Sequence, residues 1–167
     1  MKARLLLVLL ALAAAAFPAA ASASHRAGAC TPGMTKVAGT DARTFCGPAK
    51  ATVTVGGKTL SFSGGACEHT AAYVSVNIGT VVLGQTSAKK PDYFGLNVGA
   101  GVGAGNRPAP HDGSYTGAVV AAVKSGKSYL VRGDTAKVTL AGNRSHGTFA
   151  STLLFGGGAV SGTFSCG

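Results

Sequence analysis

Ala51-Thr52-Val53-Thr54-Val55-Gly56-Gly57-Lys58-Thr59-Leu60-Ser61-Phe62-Ser63 is the stretch that decides the fold. Val53 and Val55 alternate with Thr52 and Thr54, and Leu60 and Phe62 alternate with Thr59, Ser61 and Ser63. A period of two places the apolar residues on one face of an extended chain. Gly56-Gly57, between the two runs, accepts the positive φ that a two-residue hairpin turn demands. The stretch reads as a β-hairpin with one buried face.

The same pattern continues toward the C-terminus. Val74, Val76 and Ile78 alternate with Ser75 and Asn77, and Gly79-Thr80 leads into Val81-Val82-Leu83. Short runs follow at Tyr115 to Val123, around Tyr129 and Val131, at Val138 and Leu140, and at Phe149 to Phe155; Val160, Gly162, Phe164 and Cys166 then share one face. About eight such segments, separated by Gly, Asn and Asp, predict an all-β protein: an antiparallel β-sandwich or a partly open barrel. Gly117 to Lys124 is the one helix candidate, but it is short and lacks an amphipathic stripe, so it reads as a buried strand. The 26 glycines among 167 residues show no Gly-X-Y period, which excludes collagen, and read as turn residues. With 46% apolar and 12% charged residues the chain has the material for a core, which excludes disorder. Gln85 to Gly113, with the glycine-rich stretch 99–105, is the least regular part and reads as a long loop.

Upstream, Lys2 and Arg4 precede an unbroken apolar run from Leu5 to Phe17, and Pro18 leads into small residues in which Ala21 and Ala23 satisfy the A-x-A rule. Residues 1–23 therefore read as a secretory signal peptide, too short for a span that needs about 20 residues. Residues 24–50 read as a loop-rich N-terminal arm and 51–167 as the β-sandwich domain. Ala27-Gly28-Ala29-Cys30 ends like a lipidation box, yet Ala27 stands where leucine is usual, and His25 and Arg26 interrupt the apolar approach. Lipid anchoring at Cys30 is not expected, and the location expected is secreted, extracytoplasmic or at the cell envelope. Loss of Lys2 and Arg4 with the signal lowers the formal net charge from +10 to +8.

Cys30, Cys46, Cys67 and Cys166 make an even set in an exported chain, which reads as two disulfides with three connectivities. No C-x-x-C occurs, so redox or zinc-ribbon chemistry lacks its spacing. Cys67 ends the first hairpin and Cys166 the last strand, so their pairing would tie the domain shut across a loop of ~100 residues, leaving Cys30 with Cys46 to staple the arm across ~16.

From Ala51 to Cys166 the sequence resembles the mycobacterial lipoprotein antigen family (LpqH-like, of the nineteen-kilodalton antigen type). The resemblance rests on Val53, Val55, Gly56, Gly57 and Lys58, the strand to Cys67, Val74-Ser75-Val76-Asn77-Ile78-Gly79, Gly126-Lys127-Ser128-Tyr129-Leu130-Val131-Arg132-Gly133, and Phe164-Ser165-Cys166. It implies a small exported β-domain, tethered by a lipidated cysteine in most members, and the Cys67 to Cys166 bond. It carries over no catalytic residue.

Candidate chemistry is sparse. His69, His111 and His146 with a nearby carboxylate are the only set that would serve a zinc or copper hydrolase, but no H-x-H or H-x3-H spacing occurs and each falls at an expected turn. No G-x-S-x-G is present, and no catalytic residue or cofactor is assigned. The dispersed basic charge favours anionic partners in general over specific nucleic-acid recognition. Its sharpest concentration is a basic, aromatic loop of Lys89, Lys90, Tyr93, Phe94 and Arg107, which would contact an anionic envelope component or lipid. The expectation is a monomeric, non-enzymatic surface or binding module. Its alternatives are a carrier with a lipid or small apolar ligand between the sheets, and a small secreted metal-dependent hydrolase.

Overall fold

The computed structural model describes residues 30–100 and 107–167. The segment read as a signal peptide, residues 24–29 of the arm, and 101–106 of the glycine-rich stretch lie outside the described residues. Twelve strands follow in order: β1 Gly33–Val37, β2 Thr40–Phe45, β3 Ala49–Val55, β4 Lys58–His69, β5 Tyr73–Val82, β6 Tyr93–Gly99, β7 Gly113–Thr116, β8 Val119–Lys124, β9 Lys127–Leu130, β10 Lys137–Ala141, β11 His146–Thr152 and β12 Ala159–Ser165. All neighbours are antiparallel, in the order β7-β10-β11-β12-β3-β4-β5-β6-β8-β9, with β2 hydrogen-bonded to the end of β5 and β1 to β2.

This single sheet curls into a half-barrel, so of the two architectures expected, the partly open barrel is the one formed. Its concave side collects the inward residues of every long strand: Val53, Phe62, Val76, Ile78, Phe94, Leu96, Val120, Leu140, Phe149 and Phe164 are all buried. Phe94 stands between Phe62 and Phe149, with ring centroids 5.8 and 5.9 Å away. The β9 end of the sheet curls round to β11 where Val131, just beyond β9, bridges Leu153, just beyond β11; Arg132 N–H donates to Thr152 O at 3.0 Å and Leu154 N–H to Leu130 O at 2.8 Å.

The decisive hairpin forms as read, with Val55 opposite Lys58 across Gly56 and Gly57, whose φ values are 56° and 72°. Gly117 to Lys124 is a strand and no helix, as read, but the strand, β8, begins at Val119; Gly117 and Ala118 separate it from β7. Not all the glycines are turn residues. Gly147 and Gly162 lie inside strands opposite Phe164 and Phe149, and a Cβ on Gly162 would come within 2.4 Å of the Phe149 ring and 2.1 Å of Thr52 O. These glycines give the aromatic rings room to lie across the sheet on its concave side.

Two other expectations change. The N-terminal arm is stapled by Cys30–Cys46 as read, but it is a β-hairpin and not a loop; all but one residue of β1 are exposed, so no buried face imposes a period on its sequence. The long loop Gln85 to Gly113 contains β6, whose Phe94, Leu96 and Val98 are core residues. The second disulfide, Cys67–Cys166, joins β4 to the end of β12 across 99 residues. No described helix is long and apolar enough to cross a membrane.

Candidate functional site

The outer face of β5, β6, β8 and β9 carries the candidate site, and Asp92 positions it. Its carboxylate accepts the Ser125 N–H at 2.8 Å and faces Lys124 Nζ at 2.8 Å, so the segment leading into β6 is tied to the β8–β9 turn. The Lys124 hydrogen bond and then the Ser125 N–H hold the Asp92 carboxyl below its ordinary range. Lys124 also reaches Ser61 O at 3.0 Å and stands 5.0 Å from the Phe62 ring centre, which commits it to capping the core. The stem of Lys89 lies against Gly126, where a Cβ would be 2.9 Å from its Cγ, and Lys89 and Lys90 are exposed.

Beside these lysines runs a groove of about 230 Å³. Val81, Pro91, Tyr93, Ala121, Val123 and Leu130 supply most of its apolar lining, and Lys90 stands among them. It exists because β8 is apolar on both faces: Val120 and Ala122 enter the core, while Ala121 and Val123 stay on the outer surface. Tyr93 lies across Gly95, where a Cβ would be 2.2 Å from the phenol oxygen, and its hydroxyl donates to Asn77 Oδ1 at 2.7 Å. Burial pushes the Tyr93 phenol above its ordinary value. On the far side Arg43 sits opposite Val81 in the register and 5.1 Å over the Phe45 ring, which in turn packs 6.3 Å from Tyr93. Arg43, Lys89 and Lys90 form a cationic border around an apolar floor, and the nearby carboxylate, Asp92, is already engaged.

The structure brings together only part of the expected basic, aromatic loop. Lys90 and Tyr93 line this groove, and Lys89 stands next to Lys90 with its stem against Gly126. Phe94 does not: it is fully buried in the core, because alternation along β6 turns it inward where Tyr93 turns outward. Arg107 is exposed but follows the opposite end of β6, and seven residues of strand put about 20 Å between it and Lys90. Arg43 and Val81 were missed, since the arm showed no period to join them to the sheet.

His69 ends β4, His146 opens β11 and His111 precedes β7; all are exposed, and two lie on strand ends instead of the expected turns. Among the described residues no three His, Cys, Asp or Glu side chains stand close enough to hold a metal ion. His146 belongs to a structural junction. Asp112 accepts the N–H groups of Asn143 and Arg144 at 3.0 and 2.6 Å, which lowers its pKa. Arg144 holds φ at 63° and donates to the carbonyls of Thr70 and Ala109, closing three loops over one end of the half-barrel.

Curled sheet and two disulfides define a stapled β half-barrel with an external groove, and paired cysteines fit an oxidising compartment. No protein-family model and no curated protein matches the chain. Among solved structures, a redesigned β-barrel aligns at a TM-score of 0.40 and 16% identity, covering 72% of this chain and 90% of that one.

Proposed function

We propose that the protein is an exported, non-enzymatic binding module of the cell envelope or its surroundings, of the lipoprotein-antigen type, which holds anionic envelope components in the groove between Lys90 and Leu130. The observation that carries this reading is the pairing of an apolar floor with a border of Arg43, Lys89 and Lys90 whose neighbouring carboxylate, Asp92, is occupied by Lys124 and Ser125. An anion gains there without displacing an internal partner. The apolar run Leu5 to Phe17 supports export, as do two disulfides. The Cys67–Cys166 bond and the all-β fold support the family resemblance.

The test is binding of the mature protein to anionic and zwitterionic vesicles and to anionic cell-wall polymer. The expected result is preference for anionic targets, weakened at least about tenfold when Lys89→Glu and Lys90→Glu are combined. Equal binding by the wild-type and doubly reversed proteins would remove the groove from the function.

A further inference from the structure

The geometry points to a second contact surface, separate from the groove's cationic end: the β11–β12 turn is an apolar tip that inserts into the interface of an anionic lipid bilayer. Leu153 packs toward the core and bridges Val131, but Leu154 is 51% exposed and Phe155 74% exposed. Leu130 and Val119, each 43% exposed, extend the patch: Leu154 N–H donates to Leu130 O at 2.8 Å, and Val119 lies two residues along β8 from Ala121, the register partner of Leu130. Of the six large apolar residues exposed among the described residues, four gather here.

The tip projects. Gly156 and Gly157, at φ 83° and 66°, turn the chain, and a Cβ on either would meet nothing within 4 Å. Phe155 therefore stands on a convex turn clear of the rest of the molecule, a shape that a soft medium accepts. Its surroundings are basic. Lys58 follows the β3–β4 turn, whose Gly56 and Gly57 border the same depression as Gly158 and Ala159; Lys137 lies opposite Ala150, and Arg132 is bonded through its N–H to Thr152. The carboxylate of Asp134 is paired with Arg132 at 2.9 Å. Apolar side chains at the acyl boundary with lysines at headgroup level are the pattern of interfacial attachment to anionic lipid. A large exposed apolar cluster rimmed by charge needs such a partner.

The chain contains no tryptophan, so Phe155→Trp introduces a single reporter at the tip. The disulfide-bonded protein carrying it is mixed with phosphatidylglycerol–phosphatidylcholine vesicles. The expected result is a blue-shifted emission shielded from iodide, absent with pure phosphatidylcholine and reduced at least about fivefold in apparent affinity by adding Leu154→Ser. Lys89→Glu with Lys90→Glu raises the lipid concentration needed but leaves the full shift in place at saturating anionic lipid, which separates this surface from the groove. Unchanged emission at saturating anionic lipid overturns the proposal. So does a shift that needs no lipid and grows with protein concentration, because the tip then docks on a second copy. Should Phe155→Trp fail to fold by circular dichroism, Leu154→Trp reads the same contact.

Discussion

At the scale of single residues, the most constrained positions are those where two structural demands meet in one side chain. Arg144 adopts a left-handed backbone that costs a non-glycine residue about 1–2 kcal/mol, and it offsets that cost by bonding Thr70 and Ala109. Both Arg144→Ala and Arg144→Gly lose the bonds, but only glycine also relieves the backbone. The alanine variant is therefore expected to be the less stable by about 1 kcal/mol in urea unfolding. Gly162 carries the opposite demand, since any Cβ collides with Thr52 O and the Phe149 ring. Gly162→Ala is expected to cost about 2 kcal/mol or more by overpacking, with Phe149 displaced. Composition alone could not separate this glycine from Gly56, because only the rings lying across the sheet distinguish a packing glycine from a turn glycine.

Among the elements, legibility followed burial. β3 and β4 read correctly because one face enters the core and the other meets water, which writes a period of two into the sequence. β1 had no core to face and left no pattern. β6 did carry one, Phe94, Leu96 and Val98 alternating with Gly95, Asn97 and Gly99, but the glycines and the preceding Lys89-Lys90-Pro91 made it resemble a loop. The candidate site was legible to the same extent: its lysines and Tyr93 stood together in sequence, whereas Arg43, Val81 and Leu130 met them only through strand pairing. The exposed tip had its own signal, three large apolar residues in succession at Leu153-Leu154-Phe155, one of which an alternating strand must turn outward.

Connections between elements also respond to acid. Asp92 and Asp112 each hold a turn against a neighbouring segment, and both have pKa values below the ordinary 3.8. Their stabilisation is therefore fully present above pH ~4 and is lost as pH falls through the lowered values. The melting temperature is expected to drop as pH falls below about 4, and Asp112→Asn to lower it at neutral pH while flattening that acid limb. Between the two staples, removing Cys67–Cys166 by paired serine substitution is expected to cost about 4–5 kcal/mol, against about 3 for Cys30–Cys46, because it closes the longer loop.

For the whole molecule, charge acts collectively. A chain of net +10 attracts anionic surfaces at long range, and this attraction is screened beyond about 8 Å at 0.15 M salt. Raising salt from 0.05 to 0.5 M is expected to weaken vesicle binding by slowing association, while lipid already engaged by an apolar tip dissociates with little salt dependence; stopped-flow kinetics would separate the two. The topology has another consequence. β12 is not at an edge of the sheet: Val160 to Ser165 lie between β11 and Val55 to Lys50 of β3, so β3 and β11 each lack a neighbour until the last of the strands has been made. A chain short of residue 159 can pair β3-β4-β5-β6-β8-β9, but it lacks the strand that joins β3 to β11, and Cys67 lacks its partner. Completion of the curled sheet and oxidation of its longer staple therefore both wait for β12.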